Sequence, residues 1–243
     1  MKQIARRCAT VVRISGAIVA STLVVGFLFF PRHAATLFAK VSPSVRFFVP
    51  TTLPAIALTI DDGPDSLGTS HILEALREHQ AQATFFLIGE HVAGNEALLS
   101  RIQTEGHEVA NHTFHERMSL LLPSAELSRE LSATHKLLSR FGEVRWFRPG
   151  SGLYSSSMIE TATRHDYKIV LGDVFPLDGR LGNSHFHKWY ILRHARPGSI
   201  IILHDAKGRG VRTAQTLRRV LPVLRERGFH VVTVSQLVAL ASR

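Results

Sequence analysis

The chain has 243 residues, of which 45% are hydrophobic and 20% charged, and its 29 Lys and Arg against 19 Asp and Glu give a formal net charge of +10. This length and apolar fraction exclude a disordered chain and supply enough core for one domain without covalent staples. A single cysteine, Cys8, excludes a disulfide framework and a multi-cysteine zinc module.

The charge is unevenly placed. Residues 1–50 carry Lys2, Arg6, Arg7, Arg13, Arg32, Lys40 and Arg46 and no acidic residue, which leaves 22 basic against 19 acidic residues in the remainder. Between the basic residues, positions 14–30 read ISGAIVASTLVVGFLFF without a charge, about 25 Å of helix at ~1.5 Å per residue. With Val11 and Val12 added and Arg13 snorkelling, the run is long enough for a membrane span. The basic residues before it place the N-terminus in the cytoplasm and the rest across the membrane. A cleaved signal peptide shares this pattern, but Pro31-Arg32-His33 is a poor cleavage context and the apolar run exceeds a usual signal core. A buried helix of a cytosolic protein is the other alternative, and it should show a polar stripe. The expected organisation is a cytoplasmic stub and signal-anchor helix over residues 1–30, a proline-punctuated linker over 31–53 and one catalytic domain over 54–243, placed in the cell membrane with that domain on the periplasmic or outer side.

After Pro54, short β-rich runs alternate with longer amphipathic stretches. The predicted strands are 55–60, 83–88, 108–110, 146–148, 168–172, 199–203 and 230–234. The predicted helices are 69–79, 95–105, 124–140, 155–165, 185–195, 212–227 and 236–241, with Gly106 and Gly228 as stop signals. Seven such repeats predict an α/β domain of about seven parallel strands with helices outside, either a barrel or a doubly wound sheet. The arginines between Gly208 and Arg227 raise the alternative of a nucleic-acid surface. Their interleaving with Leu217, Val220, Leu221 and Leu224 instead predicts the solvated face of a helix packed on its other side.

Parallel α/β folds gather their chemistry at the C-terminal ends of strands. There the sequence offers Asp61-Asp62, Asn111-His112, Arg148-Pro149, Asp173 with Asp178, and His204-Asp205. Adjacent carboxylates at an extended end point in opposite directions, so one of the Asp61-Asp62 pair can bind a metal while the other moves a proton. An N-cap pair for the next helix is the plain alternative. His112 has His115 three residues on and Glu116 four, either of which shares its face if the segment is helical. Arg148 can hold a neighbouring carboxylate or form a structural ion pair. An unperturbed histidine titrates near neutrality, which makes His204 a candidate general acid, unless it is a satisfied core histidine.

Five of these segments, taken in order, resemble the polysaccharide deacetylase (NodB-homology, carbohydrate esterase family four) enzymes. Thr59-Ile60-Asp61-Asp62-Gly63-Pro64 is similar to that family's TFDDGP motif, Asn111-His112-Thr113 to its second motif, Arg148-Pro149 to its third, Pro176-Leu177-Asp178 to its fourth and Leu203-His204-Asp205 to its fifth. The resemblance implies a distorted (β/α) barrel and metal-dependent removal of N-acetyl or O-acetyl groups from a polysaccharide such as chitooligosaccharide or peptidoglycan. It assigns Asp61 as base, Arg148 as the residue orienting it, His204 as acid and Asp178 as the holder of the His204 tautomer. Asp62, His112 and Glu116 become the ligands of a divalent ion, zinc first, with His115 as the alternative third ligand. Pro149, Gly150 and Leu203 become the substrate wall. The partners implied are an acetylated glycan and the membrane, with no nucleic acid.

Three departures stand out. Glu116 occupies the place of the family's second histidine, Gly150-Ser151-Gly152 stands where Pro-Tyr-Gly is usual, and Gly179 stands where a Trp follows Asp178. They motivate the alternative of a catalytically impaired, envelope-anchored glycan-binding protein of the same fold.

Overall fold

A computed structural model describes residues 31–242 of the chain. The span expected over 14–30 lies outside the described residues; among those described, no helix is long and apolar enough to cross a membrane. The described chain runs α1 (Pro31–Val41), β1 (Val45–Arg46), β2 (Ala55–Asp61), α2 (Gly68–Glu78), β3 (Thr84–Leu87), α3 (Glu96–Thr104), β4 (Glu108–Asn111) and α4 (Ser124–Leu138). It continues through β5 (Trp146–Phe147), α5 (Ser156–Arg164), β6 (Lys168–Val170), α6 (Ser184–His194), β7 (Ile200–His204), α7 (Arg209–Glu226), β8 (His230–Val232) and α8 (Val234–Ala241).

The described strands pair in parallel in the order β1-β6-β5-β4-β3-β2-β7, with β8 also on β2. The sheet curls into a half-barrel, and isolated bridges Phe48–Ser199 and Val174–Ile201 link the β1–β6 side to β7. The expected barrel of parallel strands is thus present in curled, open form. Glycine stops act where the sequence places them: Gly106 and Gly228 follow α3 and α7 with φ of 81° and 82°, the left-handed conformation glycine adopts without strain. Leu217, Val220, Leu221 and Leu224 of α7 are buried, while Arg218 on its outer face pairs with Glu78.

Strand parity divides the interior into two layers. Ala55, Ala57, Phe86, Ala110, Trp146, Val170 and Ile200 form an inner cluster closed by Val234 and Leu237 of α8. Their neighbours Ile56, Leu58, Ile60, Phe85, Leu87, Val109, Phe147, Ile169, Ile201 and Leu203 belong to the larger cluster packed under the helices. The helix α8, started by a Thr233/Gln236 capping box, seats against the N-terminal ends of the strands through Val234 N–H to Thr84 and Ser235 N–H to Glu108.

The segment expected as a linker has structure of its own. It contains α1, and β1 adds to the sheet edge along β6. Arg32 reaches from α1 to Asp173 at 2.9 Å, to Ser199 Oγ at 3.1 Å and to the Pro197 carbonyl at 3.0 Å. Asp173 also accepts the Ile200 N–H at 2.8 Å. It therefore serves the N-terminal end of β7, not the catalytic rim where the strand-end rule grouped it.

Candidate active site

Inner-face parity carries the chemistry to one rim. Thr59 and Asp61 continue the row of Ala55 and Ala57, His112 follows Ala110, Arg148 follows Trp146, and His204 follows Ile200 and Ile202. Asp61 and His204 stand directly opposite each other in the β2–β7 register.

Arg148 crosses the interior. Its Nη1 donates to Asp61 Oδ1 at 2.5 Å and to Thr59 Oγ1 at 2.8 Å, and its Nε and Nη2 donate to the carbonyls of Val170 (2.9 Å) and Leu171 (3.2 Å). The guanidinium lies 4.0 Å from the Phe86 ring centroid. Both members of the pair are buried, at 2% and 3% exposure. Burial lowers the Arg148 pKa from its ordinary value, against the opposing charge of Asp61. Four fixed acceptors leave Arg148 one geometry, so the carboxylate it holds is fixed as well.

Asp62 sits at a φ of 71°, a left-handed conformation in the turn before Gly63-Pro64. The turn breaks strand parity and brings the second carboxylate to the same rim as the first. Its Oδ1 lies 3.2 Å from His112 Nε2 and its Oδ2 accepts from Arg209 Nη2 at 2.7 Å. Burial alone would raise the Asp62 pKa. The hydrogen bond from His112, with the charges of His112, His204 and Arg209, outweighs it and holds the carboxyl well below the usual range. His112 is 6% exposed. Burial opposes its charged form, and the bond to Asp62 with the nearby carboxylates reverses this, so its pKa is raised.

Asp62 and His112 have the donor chemistry of a divalent-metal site. Two ligands at ~2.1 Å from one ion stand about 3.0–3.4 Å apart across a 90–109° angle, and the Oδ1–Nε2 separation of 3.2 Å falls in that range. His112 Nδ1 donates to the Arg148 carbonyl at 2.6 Å, which orients the ring and reserves Nε2 for the ion, as a second-shell partner does.

The third expected ligand stands apart. Glu116 Oε1 pairs with Lys207 Nζ at 2.8 Å, and His115 Nδ1 pairs with buried Glu130 at 2.7 Å. Among the described residues no three of His, Cys, Asp and Glu are grouped closely enough to hold a metal. The segment after His112 is not helical, so a spacing of three or four residues does not return either side chain to the face of His112.

His204 Nδ1 donates to Asp178 Oδ1 at 2.9 Å, and the His204 N–H donates to Asp178 Oδ2 at 2.8 Å. Burial would lower the His204 pKa, but the Asp178 hydrogen bond and charge, with Asp61 and Asp62, push it up to about 9. The ring therefore carries both protons at neutral pH, one committed to Asp178 and the other available from Nε2.

The expected wall residues divide. Pro149 and Gly150 lead into the single turn Gly150–Gly152 beside the rim, where Gly150 N–H donates to Ser119 Oγ at 2.9 Å. Leu203 is 0% exposed and lies in the outer core. One residue before His204, it faces the helices, so it does not line the rim.

Arg209 is the rim residue that sequence reasoning missed, having read it only within a basic helix. Its Nε donates to the Ala206 carbonyl at 2.8 Å while Nη2 holds Asp62. A side chain starting at Gly179 would meet Arg209 Nη1 at 3.4 Å and His204 Nδ1 at 3.9 Å. Glycine at 179, in the place of an expected Trp, was the one available signal that another group fills this space. Asp205, named at the end of β7 but given no role by the sequence, is buried. Burial pushes its carboxyl up to about 7 against a hydrogen bond from Thr69, and its Oδ1 has no partner among the described residues.

The chain is similar to known proteins over most of its length. The family model described as polysaccharide deacetylase matches residues 49–170. Over 197 residues the chain is 32% identical to a peptidoglycan-N-acetylglucosamine deacetylase of Bacillus cereus, covering 80% of this chain and 92% of that protein. The structure of a peptidoglycan N-acetylglucosamine deacetylase in complex with 4-naphthalen-1-yl-N-oxidanyl-benzamide superposes with a TM-score of 0.78 at 28% identity, over 83% of this chain and 96% of that one. A family 4 acetyl xylan esterase from Clostridium thermocellum in complex with a cobalt ion superposes with a TM-score of 0.72 at 26% identity, over 76% and 91%.

Proposed function

The chain belongs to the polysaccharide deacetylase family, hydrolases of carbon–nitrogen bonds other than peptide bonds, and from that membership we propose that it deacetylates an N-acetylated glycan outside the cytoplasm with the help of a divalent ion. The observation that carries this reading is the convergence on one rim of the Arg148–Asp61 pair, the Asp62–His112 pair and the Asp178–His204 pair.

In this mechanism Asp61, held by Arg148, accepts a proton from the attacking water as its oxygen bonds to the acetyl carbon. His204 gives its Nε2 proton to the departing nitrogen as the C–N bond breaks, and acetate and a free amine result. Asp178 keeps the imidazole in the required tautomer and stabilises its charge. Asp62 and His112 hold the ion, which when bound polarises the water and the acetyl carbonyl. A histidine with a carboxylate, here His112 with Asp62, suits zinc and other divalent metals; the cobalt ion of the esterase relative supports this breadth. An ester in place of the amide would use the same groups, with an alcohol leaving.

Location outside the cytoplasm is supported by the uncharged run over 14–30 and the basic residues before it. Resistance of the full chain to alkaline extraction from membranes, with protease access to the domain only from the outer side, tests it.

The reaction is tested by acetate release from N-acetylglucosamine oligomers and from peptidoglycan, comparing the native chain with Asp61→Asn. Release that depends on Asp61 and on added metal is expected; no release from any acetylated glycan with metal bound would sink the proposal. The Lys207–Glu116 pair favours a second reading, a glycan-binding protein without turnover, which chelation would leave unaffected.

A further inference from the structure

The two carboxylates of the expected ligand set are both held by cations from one turn. Between β7 and α7, Lys207 and Gly208 take φ of 60° and 73°, a reversal that sends Lys207 and Arg209 back over the rim. Lys207 Nζ reaches Glu116 at 2.8 Å, and Arg209 Nη2 reaches Asp62 at 2.7 Å. Arg209 is steadied by the Ala206 carbonyl and passes Gly179, where a Cβ would lie 3.4 Å from its Nη1.

We propose that Arg209 and Lys207 are internal counter-cations that compete with the divalent ion for Asp62 and Glu116, and so set the metal affinity of the site. The inference rests on the metal-dependent reading above. An ion ligated by Asp62 at ~2.1 Å lies only a few ångströms from a guanidinium on the same carboxylate, and like charges so close repel strongly where water is scarce. Arg209 and Asp62 are 18% and 13% exposed, whereas Lys207 is 69% exposed, so Arg209 is the stronger competitor. Glu116, the expected third ligand, is held by Lys207. Arg209 is therefore a positioning residue acting through Asp62.

The test is cobalt(II) binding to the full chain in detergent, read by calorimetry and by the cobalt absorption spectrum, for the native protein, Lys207→Gln, Arg209→Gln, the double variant and Arg209→Lys. Expected is binding about tenfold tighter for Arg209→Gln, roughly two- to threefold tighter for Lys207→Gln, tightest for the double variant, and near native for Arg209→Lys, which keeps the charge. Unchanged or weaker binding in Arg209→Gln, with the native protein binding cobalt, overturns the inference and leaves the metal-dependent reading standing. Binding by the double variant alone supports the inference and explains a low native affinity. No binding by any of them overturns both.

Discussion

Arg148 Nη1 lies 2.5 Å from Asp61 Oδ1 with both side chains almost wholly buried, so neither charge is well solvated without the other. Removing one partner strands the other. Arg148→Met should destabilise the domain by about 3–5 kcal/mol, measured as a drop in denaturant midpoint. Asp61→Asn keeps the shape but loses the base, and should cut kcat by roughly 10²–10⁴-fold with little change in KM. Retained activity in Asp61→Asn would remove it from the base role.

Asp178 makes a second prediction about pH. The His204 pKa is raised above its ordinary value, first by its hydrogen bond to Asp178, so the proton needed by the leaving group is present at neutral pH and lost as pH rises into the alkaline range. With the carboxylate neutralised, Asp178→Asn should shift the alkaline limb of the kcat/KM profile toward lower pH. The same variant should lose stability mainly below that limb, where the imidazolium–carboxylate pair exists. An unmoved limb would show that His204 is not the group titrating there.

Asp205 predicts the opposite sign. A carboxyl whose folded pKa is raised to about 7 binds its proton more tightly when folded, so its contribution is favourable at low pH and declines as pH climbs from the ordinary carboxylate range through 7. Asp205→Asn should melt higher than the native chain above pH 7, by up to about 4 kcal/mol, and the gap should close toward pH 4. A pH-independent difference would mean that burial does not hold the proton on.

Gly210 predicts a steric limit. A Cβ there would come within 2.3 Å of both the Gly68 Cα and Asp205 Oδ1, because the starts of α2 and α7 abut at these two glycines. Gly210→Ala should cost about 1–3 kcal/mol by overpacking, visible in the melting temperature, with activity reduced since His204 lies on the strand leading into this junction.

Metal supply gives the last prediction. Removal of divalent ions should abolish acetate release and their return restore it, and Asp62→Asn or His112→Gln should each weaken cobalt binding at least about tenfold. Activity that survives thorough chelation would exclude the ion from the reaction.

Most of this rim was legible in the sequence. The short β-rich runs named the strands, parallel α/β topology names their C-terminal ends as the place for chemistry, and the residues there are Asp61, Asp62, His112, Arg148 and His204. Periodicity is a local property, set by which side of a strand or helix meets the core, so one chain suffices to read it. Prolines at 31 and 43 read as breaks in the sequence, whereas residues 31–53 include α1 and a β1 that exists only by pairing with β6. The remaining differences are matters of meeting. Leu203 faces the helices, Glu116 is held by Lys207, His115 by Glu130, and Arg209 reaches Asp62 across 147 positions. The sequence by itself determined which groups stand at the strand ends, because alternation along a strand is local. Only the tertiary structure decided which carboxylate keeps which cation, because that depends on how the turn after β7 folds back over the rim.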